Sequence, residues 1–220
     1  MATFNADSHE ERNDRKDKTD KLIFRQPFLL RCTIDDPINK SFFDIKPQYV
    51  PRGRWRKANL TYKFANFDVS LSTNELMEAF ALACSIWTKY APLTLKEVKN
   101  TTADIVVGFY DTTHHECSLC AGFGNKKNYG HGFYPSTNDQ DPSLCGDIHF
   151  NKTINWTVSP HPSDEEVDFV TVAAHELGHA LGLGHVSLSG ALMFDSCKMP
   201  HRYLADDDIK GIKELYRNFG

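Results

Sequence analysis

The chain has 220 residues, 40% of them apolar, and a net charge of −4 spread over both signs. That suits one core of ordinary domain size plus an appendage, and it excludes a nucleic-acid or anionic-membrane partner held by bulk charge. No apolar run reaches bilayer-spanning length, because Leu22-Ile23-Phe24 is broken at once by Arg25 and Pro27, and no apolar signal region opens the chain.

Residues 1–31 are dominated by charge and read as a flexible leader that runs into Arg31-Cys32-Thr33-Ile34-Asp35-Asp36. Residues 37–58 carry three prolines among clustered basic residues and form a connector, so the leader is assigned to 1–50 and the folded domain to 51–220. Leu60 to Phe64 alternates as a strand should. Ser72, with Glu75 three residues on, is a capping box opening a helix to about Lys89. Leu76, Ala79, Phe80, Ala83, Ile86 and Trp87 share one face of that helix, and Cys84 near it reads as a buried free thiol. Leu93–Val98 and Asp104–Phe109 are two further strands. Residues 110–157 are polar, glycine-rich and cysteine-bearing, too long for a plain connection and therefore marked as functional.

The next helix, Glu166 to Leu181, carries His175-Glu176-Leu177-Gly178-His179, followed by Ala180-Leu181-Gly182-Leu183-Gly184-His185. Residues four apart on a helix point the same way, so His175 and His179 can aim their imidazoles at one ion. Gly182 supplies a residue able to turn left-handed, and the chain doubles back to bring in His185. Three protein nitrogens leave a fourth tetrahedral position for water, the arrangement of a catalytic zinc rather than a structural one. Glu176 is one residue out of phase with the ligands and is placed as general base, then general acid. Met193, eight residues after His185, stands in a turn that sets it under the three imidazoles.

This pattern resembles the metzincin endopeptidases, and the closing segment Leu204 to Ile212 with Leu215-Tyr216 is similar to the last helix of the matrixins, the matrix metalloproteinases. The resemblance runs from about Arg54 to Phe219 and includes Arg54-Trp55, Leu60-Thr61-Tyr62 and Gly146-Asp147-Ile148-His149-Phe150. The cysteines after His114 are closest in character to the cysteine-array branch. The resemblance implies an α+β fold: a twisted, mainly parallel five-stranded sheet with an antiparallel edge strand, and three helices. It also implies a zinc endopeptidase of extracellular matrix-type polypeptides, open to tissue-inhibitor-type protein inhibitors, with Tyr129–Phe133 as the edge strand that receives the substrate. The rival reading is a non-catalytic peptide-binding module on the same scaffold.

Further residues follow from the family pattern. Arg31, Cys32 and Asp36 match an inhibitory switch whose thiolate occupies the open zinc position, with Thr33 in place of glycine and Asp35 in place of proline. A second, structural zinc maps onto His114, Glu116, His131 and His149, the alternatives being ligation through Cys117 and Cys120, or solvated loop histidines. A calcium site would have Asp147, but Asn151 and Ile154 stand where two carboxylates are expected, so calcium dependence does not carry over. Cys117, Cys120, Cys145 and Cys197 permit two disulfides in three pairings. Phe194 to Tyr203 would wall the pocket for the side chain after the scissile bond, and Asp207 and Asp208 would tie down the methionine turn. Acceptor triplets for N-glycosylation at Asn39, Asn59, Asn100, Asn151 and Asn155, with six cysteines, point to an extracellular protein.

Overall fold

A computed structural model describes residues 49–135, 142–196 and 200–219, together with the backbone of 31–32. The rest of the leader, Asp36, Asn39 and Cys197 lie outside the described residues.

The strands are β1 (Arg31–Cys32), β2 (Val50–Pro51), β3 (Asn59–Phe64), β4 (Thr94–Glu97), β5 (Ile105–Tyr110), β6 (Asn128–Gly132), β7 (Ile148–Asn151), β8 (Trp156–Thr157), β9 (Val167–Asp168) and β10 (Leu183–Gly184). The helices are α1 (Thr73–Thr88), α2 (Phe169–Ala180) and α3 (Asp206–Tyr216). The main sheet has the order β1-β6-β7-β5-β3-β4. Strands β4, β3, β5 and β7 are parallel and β6 runs antiparallel to β7, which is the expected five-stranded sheet with one reversed strand. To its outer side the structure adds β1, two residues parallel to β6.

Burial explains the arrangement. Strand β3 buries Leu60 and Tyr62, while the central strands β5 and β7 are buried almost throughout, as befits a parallel sheet covered on both faces. Helix α1 opens on the capping box: the Glu75 N–H donates to Ser72 Oγ and the Ser72 N–H to Glu75 Oε2. Its buried face is Leu76, Ala79, Phe80, Ala83, Cys84 and Trp87, with Ile86 only half-buried. That face lies on α2, where the Trp87 indole donates to the Ala174 carbonyl at 2.8 Å.

Helix α2 starts at Phe169, three residues later than its periodicity indicates. Val167–Asp168 is spent on β9, and the Asp168 carboxylate caps the helix by accepting from the Thr171 N–H. Its C-terminus is closed from afar. Trp55 Nε1 donates to the Ala180 carbonyl at 2.9 Å and the Tyr216 hydroxyl to the Leu181 carbonyl at 2.8 Å, satisfying groups that every helix end leaves open. The folded body reaches back slightly beyond residue 51, since Val50 pairs with Gly184 and Tyr49 packs against Gly211.

Asp104 fastens the start of β5 to β3. Its Oδ2 accepts from the Thr61 N–H and hydroxyl, both at 2.8 Å, and Lys57 lies 2.6 Å from Oδ1. Partial burial opposes its charge, yet these donors hold the carboxyl below its ordinary range. A depressed carboxylate stabilises the fold above its unfolded-state pKa, and that contribution fades as pH falls through the folded-state value. Asp104→Asn is therefore expected to cost about 1 kcal/mol at pH 7. In urea melts the gap from the parent should close below about pH 4; a gap independent of pH would refute the charge argument.

Candidate metal centre

Helix α2 is buried along its whole length, so it delivers His175, Glu176 and His179 into the interior. Gly182, with φ of +102°, ends it in the left-handed region. A side chain there would collide with the Gly53 carbonyl, so both the turn and the close approach require glycine. The reversal through β10 brings His185 to the other two histidines.

The nitrogens converge. His185 Nε2 lies 3.2 Å from Nε2 of His175 and 3.2 Å from Nε2 of His179. Tetrahedral ligands at the 2.0–2.1 Å of zinc–imidazole bonds stand about 3.3 Å apart, so the trio fits a zinc ion. His175 Nδ1 lies 2.7 Å from the Leu192 carbonyl and His179 Nδ1 2.7 Å from the Leu183 carbonyl. A carbonyl only accepts, so each Nδ1 carries the proton and each Nε2 keeps its lone pair for the metal. Burial, then the neighbouring His185, pushes His175 down to about 3 and His179 well below its usual range, which keeps both imidazoles in the neutral, ligating form.

The floor is built around Met193, which is 1% exposed. A methyl group on Gly178 would strike Met193 Sδ and Trp87, which explains a glycine in the middle of a buried helix. Asp208, in the first turn of α3, holds the methionine turn by its backbone. Its carboxylate accepts from the N–H groups of Leu192 at 2.7 Å, Met193 at 3.2 Å and Ala205 at 2.9 Å. Asp207 is also buried.

Strand β6 forms the rim above α2. A Cβ on Gly132 would collide with the Glu176 carbonyl, and one on Gly130 would stand 3.2 Å from Glu176 Cγ, so the bare backbone of β6 rests directly on the candidate base. The outer edge of β6 is where β1 pairs, with Arg31 opposite Asn128 and Cys32 opposite Gly130. Tyr134, just past β6, stands edge-on to His179 at 5.7 Å.

The second predicted metal group is regrouped by the structure. His131 and His149 are brought together, but with Cys117 and Cys120 rather than with His114 and Glu116. His114 stacks on Tyr110 with ring centroids 3.9 Å apart, and Glu116 is exposed. Cys117 and Cys120 carry free thiols, so the two-disulfide scheme drawn from four loop cysteines fails among the described residues. Asp147 accepts from the Val106 N–H at 2.9 Å and serves the sheet. Asn151, where a calcium ligand was sought, is fully buried and its amide donates to the Phe123 and Asn128 carbonyls. That nitrogen is committed and inaccessible, so Asn151 drops out as a glycan acceptor, whereas Asn59, Asn100 and Asn155 are exposed.

One feature had no signal in the sequence. Arg202 donates through Nε to Asp168 Oδ2 at 2.9 Å, pairs with Oδ1, and reaches the Val158 and Ser159 carbonyls at 2.9 Å. With the His201 N–H donating to Thr171 Oγ1 at 2.7 Å, this ties residues 201–202 to the start of α2.

Matrix metalloproteinase-20 of Homo sapiens is 32% identical over 203 residues, 91% of this chain and 38% of that protein. Matrilysin of Rattus norvegicus is 34% identical over 189 residues, 84% of this chain and 65% of that protein. Matrix metalloproteinase-19 of Mus musculus is 34% identical over 218 residues, 98% of this chain and 38% of that protein. The chain thus spans less than two thirds of the length of each of these relatives. The sequence profile of the matrixins matches residues 54–217, from the tryptophan that closes α2 through the histidine turn to the end of α3, and on that match the chain belongs to the matrixin family.

Proposed function

We propose that the protein is a zinc-dependent endopeptidase that hydrolyses extracellular, matrix-type polypeptides. The observation that carries this reading is the convergence of the His175, His179 and His185 Nε2 atoms, with two of the three rings tied back through Nδ1. Zinc held there supplies a Lewis acid and a water whose pKa falls toward neutrality.

The chain's own residues do the rest. The edge of β6 offers backbone N–H and C=O groups to an extended peptide, a recognition mode indifferent to most side chains. Glu176, walled off from bulk solvent by β6, takes the proton of the attacking water and passes it to the leaving amine. Met193 and Asp208 keep the imidazole cluster from shifting when substrate enters. Protein inhibitors of the tissue-inhibitor type would compete for the same edge and the same metal.

The leader acts on this cleft. Strand β1 occupies the edge of β6 that a substrate needs, with the Cys32 backbone in register with Gly130. Cys32 is accordingly read as a thiolate switch on the zinc. No helix among the described residues is long and apolar enough to cross a membrane, which is compatible with a secreted protein.

The test is turnover of a quenched peptide and of gelatin by the zinc-loaded protein, with and without a chelator. Chelator-sensitive cleavage supports the reading. Binding of the peptide with no cleavage, in protein lacking the leader, would favour a non-catalytic module. Removing residues 1–48 is expected to raise kcat/KM about tenfold or more at unchanged zinc content, because the leader then no longer holds most molecules closed. Equal rates before and after removal would dismiss the switch.

A further inference from the structure

We propose that Cys117, Cys120, His131 and His149 form a second zinc site, closed by four protein ligands, that clamps the rim strand of the cleft through a pair of thiolates. The local sequence prepares it. Cys117 is the N-cap of a 3-10 helix, Ser118–Gly124, and Cys120 lies three residues on. A 3-10 helix has three residues per turn, so side chains at that spacing eclipse and both sulfurs face the same way.

They face two histidines fixed by the sheet. His131 on β6 and His149 on β7 are direct partners in the antiparallel ladder. Cys117 Sγ lies 3.2 Å and Cys120 Sγ 3.8 Å from His131 Nε2, Cys120 Sγ lies 3.5 Å from His149 Nδ1, and the two ring nitrogens are 3.3 Å apart. Tetrahedral zinc with bonds of about 2.3 Å to sulfur and 2.0–2.1 Å to nitrogen sets S···N near about 3.5 Å and N···N near about 3.3 Å. These four edges match that polyhedron within a few tenths of an ångström, and all four donors lie within 4.8 Å of one another.

All four residues are at most 3% exposed, as befits a closed site with four protein ligands rather than an open catalytic one. The surroundings are largely aromatic: His131 stacks on Phe123 at 5.1 Å and meets Phe133 edge-on at 5.3 Å, and His149 meets Phe133 at 5.4 Å and Tyr110 at 4.5 Å. Four polar ligand atoms gathered in such a pocket are costly unless a cation organises them. Thiolates select a soft ion such as zinc over calcium or magnesium. Glu116 is exposed, and the His114 ring, stacked on Tyr110 and 5.2 Å from the His149 ring, lies outside the converging four donors.

The test uses cobalt as a spectroscopic stand-in, on the full chain carrying Cys32→Ser so that no leader thiol reaches the catalytic imidazoles. Two metal ions per chain are expected, with an intense near-ultraviolet sulfur-to-cobalt charge-transfer band. Cys117→Ser with Cys120→Ser should abolish the band and leave one ion, whereas His114→Ala with Glu116→Gln should keep both ions and the band. If the cysteine variant does not fold, the spectrum of the Cys32→Ser chain decides alone. Binding of a second cobalt without the band would overturn the proposal. So would loss of the second ion in the His114/Glu116 variant, or a Cys117–Cys120 disulfide in the peptide map of the metal-loaded chain. None of these readouts depends on peptide turnover, so an inactive protein with the band would refute the catalytic reading and leave this one standing.

Discussion

Glu176→Gln is expected to keep its zinc and lose about 10³-fold in kcat, the size of a general acid–base contribution. Glutamine has the same shape as glutamate, so it fills the same space against Gly130 without disturbing β6 or the helix. His175 and His179 are oriented through Nδ1 by the Leu192 and Leu183 carbonyls, bonds in which the Glu176 side chain takes no part. What changes is proton affinity, because an amide neither takes a proton from water near neutral pH nor returns one to an amine. The measurement pairs zinc analysis with kcat on a quenched peptide. A variant that holds zinc and turns over at the parental rate would remove Glu176 from the chemistry, and one that loses zinc would place it in the metal shell instead.

Asp208→Ala is expected to destabilise the fold by about 3 kcal/mol or more, the largest single-residue effect on stability foreseen for this chain. The three backbone donors of Leu192, Met193 and Ala205 would lose a charged acceptor inside a buried turn, each at a cost of roughly 1–3 kcal/mol before any water enters. Asp208→Asn should fall between variant and parent, at about 1–2 kcal/mol. Its one oxygen can serve Leu192 and Ala205, which share Oδ2, but its NH2 group then faces the Met193 N–H, donor against donor. Urea denaturation resolves the order parent, asparagine, alanine. Equal stability of the two variants would mean that the carboxylate acts through charge alone. Because the same turn carries the Leu192 carbonyl that orients His175, zinc affinity should fall in the same order.

Much of this was legible in the chain because the determinants are local. The Ser72–Glu75 box, the apolar face of α1 and the spacing of His175 and His179 each lie within one or two helical turns, and the structure returns all of them. The start of α2 was misplaced because apolar periodicity continues through Val167, while the real boundary is set by Asp168, whose partner Arg202 stands 34 residues away. The second metal group shows the same limit. The family pattern favoured His114 and Glu116, with Cys117 and Cys120 as the alternative. The choice depends on which way a 3-10 turn faces and on Tyr110 capturing the His114 ring, neither of which is encoded by spacing. Asn151 stands where the family pattern has a calcium-binding carboxylate, and its amide instead bridges two carbonyls of the neighbouring loop and strand.

Every residue of α2 is hidden, including the stretches between its ligands. Such an element offers natural selection no free surface, since each position already answers to a neighbour that would have to change with it. Substitution is therefore expected to be tolerated at the margins of the groove, around Tyr134 and near Arg202, sooner than along the histidine-bearing rod.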